Sequence, residues 1–179
     1  LDIYVTRYLN YDEKITGADA AGRPEYPPPS QFRGLDDRLL RNDGDGTFTD
    51  ITDTSGISDH PGRGLGVIAG DFDADGNVDL YVANDGDANH AWLGDGTGNF
   101  VESALTLGLA VNIFGQPEAS MGLASGDLDG DGLEDIVITH LVHETDTIYR
   151  CDRPGQFSDV TTSSGLAVPT IDFTGFGIA

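Results

Sequence analysis

The sequence predicts an all-β fold: a segment of a β-propeller made of four-stranded antiparallel blades. Three observations carry this. The nine-residue stretch Asp71-Phe72-Asp73-Ala74-Asp75-Gly76-Asn77-Val78-Asp79 returns as Asp127-Leu128-Asp129-Gly130-Asp131-Gly132-Leu133-Glu134-Asp135. A second motif, an Asp/Gly turn between two apolar runs, occurs three times: at 39–51, 92–102 and 148–160. The runs flanking both motifs are short, β-branched or aromatic, and bounded by Gly, Asp and Asn, which marks strands joined by tight turns. Strand, Asp loop, strand, connection, strand, turn, strand is one blade of about 50 residues.

Taken in order, the chain opens on Leu1-Asp2-Ile3-Tyr4-Val5, which aligns with Val78 to Val82. Residues 1–52 therefore read as a blade lacking its first strand, with an insertion over 9–36. A full blade spans 64–104, with Gly66 to Gly70 before its Asp loop and Leu80 to Ala83 after it. Another spans 120–161, with its loop between Gly122–Gly126 and Ile136–Thr139. Gly175-Phe176-Gly177-Ile178 aligns with Gly64 to Val67, so 173–179 is expected to start the next blade. The pieces amount to about three blades, fewer than the four to eight of a propeller. The expectation is a fragment cut inside a blade at each end. Phe48, Phe100 and Phe157 recur at one place in the fourth strands and are expected in the core. Ile3-Tyr4-Val5 and Ile136-Val137-Ile138 are expected to be inner strands covered on both faces.

The Asp loops carry the clearest chemistry. Carboxylates stand at positions 1, 3, 5 and 9 (Asp71, Asp73, Asp75, Asp79; Asp127, Asp129, Asp131, Asp135), with glycine at position 6. Carboxylates this close repel unless a cation joins them. A hard divalent ion, Ca2+ above all, takes six to eight oxygens and suits such a turn. Position 7 offers a backbone carbonyl, from Asn77 and Leu133. An EF-hand would need a bidentate Glu at position 12. Val82 and Ile138 stand there, and the flanks are strands. Two Ca2+ are expected, one per complete Asp loop, with a third, partial site at Asp2.

The bulk composition excludes several functions. Thirty-one acidic against nine basic side chains give a formal charge of −22. That rules against nucleic acid or anionic membrane as a partner, since both need a basic surface. No run approaches the ~20 apolar residues of a membrane span. The lone Cys151 excludes an internal disulfide and a thiolate cluster. No nucleophile elbow, phosphate loop or dinucleotide fingerprint is present.

With these residues in view, the blades resemble FG-GAP/VCBS repeats, propeller repeats also found in integrin α chains. More closely, the chain is similar to the ASPIC/UnbV-associated, cartilage-acidic-protein-like group. The runs that carry this are Phe32-Arg33-Gly34 with Leu40-Arg41-Asn42-Asp43-Gly44-Asp45-Gly46-Thr47-Phe48, Asn89 to Leu93, Gly115 to Gly122, and His143 to Arg150. The resemblance implies an exported, Ca2+-binding propeller of about seven blades, with no catalytic activity common to the family. It carries the loop ligands over to the eight Asp positions above.

A meander puts the Asp loops and the Asp/Gly turns on one face, and the longer connections on the other. The loop-rich face is the expected recognition surface, because its loops are free of the metal geometry. It includes the long insertion with Glu25-Tyr26-Pro27-Pro28-Pro29, which fits either a partner dock or a decoration packed on its own blade. His140, His143 and Glu144 would be the ligands of any transition-metal site there. The leading reading is a non-catalytic, secreted or cell-surface Ca2+-binding protein of adhesion, recognition or extracellular assembly. Its partners would be a protein or glycan, together with further blades or neighbouring subunits. A carbohydrate-active or lectin-like propeller and a filament or sheath subunit remain open.

Overall fold

The computed structural model describes residues 1–178. β1 (Ile3–Val5) pairs with β4 (Arg38–Asn42), and β4 with β5 (Phe48–Asp50), in a three-stranded antiparallel sheet. The residues between β1 and β4 hold a small hairpin, β2 (Gly17–Ala18) with β3 (Pro24–Glu25). The second sheet runs β6 (Gly64–Gly70), β7 (Asp79–Asn84), β8 (His90–Gly94), β9 (Phe100–Glu102). The third runs β10 (Leu123–Gly126), β11 (Asp135–Ile138), β12 (Thr147–Arg153), β13 (Gln156–Asp159). Every pairing is antiparallel and, apart from β1 with β4 across the inserted hairpin, joins chain neighbours, which is the up-and-down meander of a propeller blade.

The sheets pack face to face. Side chains alternate along a strand, so β7 sends Leu80 and Val82 toward the first sheet and Tyr81 toward the third. Leu80 and Val82 join Leu39, Ile57 and Trp92 in one apolar cluster. Tyr81 joins Ile136, Ile138, Tyr149 and Phe157 in the other. All six residues of β7 are buried. Only a strand covered on both faces reads this way.

Each sheet ends in a single helical turn closed by a left-handed glycine: Thr52–Ser55 with Gly56, Ala104–Leu107 with Gly108, and Thr161–Ser164 with Gly165. Besides a backbone bond from the residue before it, a side-chain oxygen ties each turn back to the third strand. Thr52 Oγ1 accepts from Leu39 N–H at 3.0 Å, and Thr161 Oγ1 from Ile148 N–H at 3.0 Å. The middle blade has Ala104 at this place and no hydroxyl. There Glu102 Oε1 accepts from both Ala91 N–H (3.2 Å) and Ala104 N–H (2.9 Å), so the longer acid replaces an Asp–Thr pair. Gly108 is also a close approach: a Cβ on it would stand 2.5 Å from the Phe157 carbonyl of the next sheet.

Three expectations need correction. Residues 173–178 are not a strand. They lie against 139–142, with Gly175 N–H on His140 C=O at 3.0 Å and Val142 N–H on Thr174 Oγ1 at 2.9 Å. A strand needs a regular backbone ladder, and these bonds do not form one. β1 is covered on one face only, leaving Ile3 and Val5 each 41% exposed. Phe48 is 43% exposed, whereas Phe157 is buried. Phe157 has the second sheet to pack against, while Phe48 faces no sheet among the described residues.

The insertion is pinned at its base. Leu9 bridges Gly34, Leu35 bridges Gly62, and Phe32 is buried with the Tyr11 ring 5.3 Å away and tilted at 32°. Its tip, with Tyr26 at 90% exposure, is free of the sheets.

The substitution of Glu102 for an Asp–Thr pair makes a compensation test. Glu102→Asp alone should cost about 1 kcal/mol by leaving buried N–H groups short of an acceptor. Adding Ala104→Thr should recover most of it. Urea denaturation of the two variants checks this, and strictly additive losses would contradict the assignment.

Candidate metal centre

Both Asp loops turn on positive φ at positions 4 and 6: Ala74 at 59° and Gly76 at 87°, Gly130 at 84° and Gly132 at 89°. Glycine suits position 6 because a Cβ is disfavoured in the left-handed region. The turn folds three carboxylates inward. Asp71, Asp73 and Asp79 each offer an oxygen within 4.8 Å of the others, and Asp127, Asp129 and Asp135 do the same. These are the two such groups among the described residues.

Backbone amides hold the carboxylates in place. Asp71 accepts from Asp75 N–H and Gly76 N–H, both at 3.0 Å. Asp127 accepts from Asp131 N–H at 3.1 Å and Gly132 N–H at 3.0 Å. Asp73 and Asp129 each accept from the amide two residues on, at 3.1 and 3.2 Å. Each such bond uses one lone pair, and a carboxylate oxygen has a second to offer. The donor set is all hard oxygen, which fits a divalent ion of the Ca2+ kind. Burial first, then the like charges of Asp75 and Asp71, push the Asp73 carboxyl above its ordinary range.

Position 9 differs from the picture of a simple ligand. Asp79 is fully buried, with Oδ2 on Phe72 N–H (2.8 Å) and Oδ1 on Gly94 N–H (2.9 Å). Asp135 repeats this with Leu128 N–H and Cys151 N–H, both at 2.9 Å. Asp2 Oδ1 takes Asn42 N–H at 2.8 Å, the same bond in the first sheet. The residue is thus a brace between the Asp loop and the third strand as well as a possible ligand. The sequence carries a trace of it: aspartate stands at position 9 in all three blades, at Asp2, Asp79 and Asp135.

Asp75 and Asp131, at position 5, lie outside the two carboxylate clusters. Asp75 is occupied by Asn77, whose N–H and Nδ2 each approach it at 2.8 Å. Asp131 Oδ1 accepts from Leu133 N–H at 2.8 Å, and the Leu133 side chain packs on the core between the second and third sheets. Asp2 has no clustered carboxylate partners among the described residues.

The model of the family described as FG-GAP-like repeat matches residues 30–82 and again 71–138, together more than half of the chain. The chain is a member of the FG-GAP-like repeat family. Cartilage acidic protein 1 of Xenopus tropicalis is 28% identical over 118 residues, covering 66% of this chain and 18% of that protein. Cartilage acidic protein 1 of Homo sapiens is 28% identical over 115 residues, covering 64% of this chain and 17% of that protein. The chain thus spans under a fifth of the length of these curated relatives.

On the opposite face of this FG-GAP member, the expected transition-metal set is not assembled. His143 sits at φ 77° on the 141–146 loop, while His140 is buried. The Nε2 of His140 stands 3.7 Å from Glu118 Oε2, and Glu118 also meets Thr147 Oγ1 at 3.3 Å. Glu144 is bound to Ala119 N–H, and Asp146 to His140 N–H. This buried His–Glu pair was not singled out from sequence, because nothing near Glu118 marks it as interior.

Burial holds the His140 imidazole down to about 4, against an ordinary value of 6.5. An unfolded chain therefore binds a proton that the folded chain refuses between those values, so stability falls as pH drops through that window. Burial also pushes Glu118 up, which works in the other direction. Comparing His140→Gln with the parent isolates the histidine. The variant should lose a pH-dependent contribution of at most about 3 kcal/mol between pH 6.5 and 4. Parallel stability curves for the two proteins over that range would show that His140 does not titrate this way.

Proposed function

We propose that this chain is a Ca2+-stabilised segment of an extracellular β-propeller that acts without catalysis, in adhesion, recognition or extracellular assembly. One observation carries the reading: two hairpin turns, a sheet apart, each gather three carboxylates within 4.8 Å on a matching scaffold of backbone amides. Asp71, Asp73 and Asp79 would hold one ion, and Asp127, Asp129 and Asp135 the other. When bound, the ion neutralises the charge that the turn brings together. The protein's own contribution is to place the oxygens in advance.

The family and the similarity to cartilage acidic protein 1 support the extracellular setting. No helix among the described residues is long and apolar enough to cross a membrane. Recognition belongs to the loop-rich face, where connections differ from blade to blade. Ile113 and Phe114 stand 64% and 82% exposed there, on a turn fixed by Asn112 and Asp159. A protein or glycan ligand would meet this face, with further blades or neighbouring subunits at the sheet ends.

Calorimetric titration of the metal-free chain should find two Ca2+ per molecule. Asp71→Asn and Asp127→Asn should each leave one, and EDTA should lower the melting temperature of the loaded protein by several degrees. No Ca2+ uptake, or equal uptake by both variants and the parent, would sink the reading.

A further inference from the structure

The 71–79 loop does more than close its own hairpin. Its second residue, Phe72, is 2% exposed and lies in the core between the second and third sheets, with its ring 6.3 Å from Phe157 at 74°. Its N–H is held by Asp79, and its carbonyl accepts from Gly155 N–H at 3.0 Å, in the β12–β13 turn of the next sheet. A Cβ on Gly155 would stand in ordinary contact with Asp73 Cβ, at 3.5 Å, so the turn lies beside the ligand loop. At the loop entrance, a Cβ on Gly70 would meet Glu134 Oε2 at 2.6 Å, which belongs to the second Asp loop. The two loops and that turn enclose a cleft of about 240 Å³. Leu128, the counterpart of Phe72, is 56% exposed, with no further sheet beside it among the described residues.

We propose that the 71–79 loop is a cation-controlled latch between the second and third sheets. A divalent ion held by Asp71, Asp73 and Asp79 would fix Asp73 and the Asp79 brace, and with them the backbone of Phe72 between its two partners. That sets the aromatic contact with Phe157 and the turn at 153–156. Ligand spacing assigns one ion to each loop, and this geometry spreads its effect across the junction. The proposal rests on the Ca2+ reading above. By linkage, whatever the ion adds to the junction, the junction returns to the ion's affinity.

The test uses the full chain with the second loop disabled by Asp127→Asn and Asp129→Asn, and measures hydrogen exchange with and without Ca2+. Protection should rise at least tenfold at 71–79 and also at 153–157, with no change in the first-sheet turn at 43–47. Protection confined to 71–79 overturns the latch but leaves Ca2+ binding intact. An equal rise everywhere, 43–47 included, overturns it in favour of general stabilisation. No rise at 71–79 overturns both proposals. In the same background, Phe72→Leu should weaken Ca2+ binding about fivefold or more by calorimetry. An unchanged affinity argues against the latch.

Discussion

A buried carboxylate at the mouth of each hairpin is the interaction on which the rest depends. Asp79 and Asp135 each accept two backbone N–H groups, one from the Asp loop and one from the end of the third strand. Hydrogen bonds to a charged acceptor are stronger than neutral ones, and losing one in the interior leaves an amide without a partner. Through this one side chain, the loop is registered against a strand that lies two elements further along the chain. The inward carboxylates at positions 1 and 3 then have a fixed floor. Burial raises the Asp79 carboxyl above its ordinary range, the cost of placing charge there. The amides, and in the proposed state a cation, offset it.

The second constraint is the face-to-face stacking of sheets. One blade cannot bury both faces of its inner strands by itself. β7 is buried throughout because it has a sheet on each side, whereas β1 has one. The same rule explains Phe157, Phe48, Phe72 and Leu128. Phe48 and Phe157 hold equivalent sequence positions, as do Phe72 and Leu128, and the burial of each follows from which neighbour stands beside it. The Asp loops sit where these two constraints meet, since their second residue reaches the junction and their ninth braces the hairpin.

Much of the site was legible in the sequence because metal-type loops depend on local spacing. Asp at positions 1, 3 and 9, with glycine at 6, specifies a turn that gathers oxygens whatever surrounds it. Position 5 was less legible. Asp75 and Asp131 each accept a hydrogen bond from the amide two residues on, a partner that ligand spacing does not give. The buried His140–Glu118 pair was likewise hidden, because polar residues give no periodic signal of burial.

By itself, the sequence determined the all-β repeat, the meander order of strands and the two Asp loops that gather carboxylates. All three rest on contacts between residues close along the chain, where alternation and turn chemistry act directly. The tertiary structure alone decided which faces are covered, that position 9 clamps the third strand, and that one Asp loop reaches into the adjoining sheet. Those outcomes depend on packing between units whose sequences are alike, and likeness does not say which copy has a neighbour.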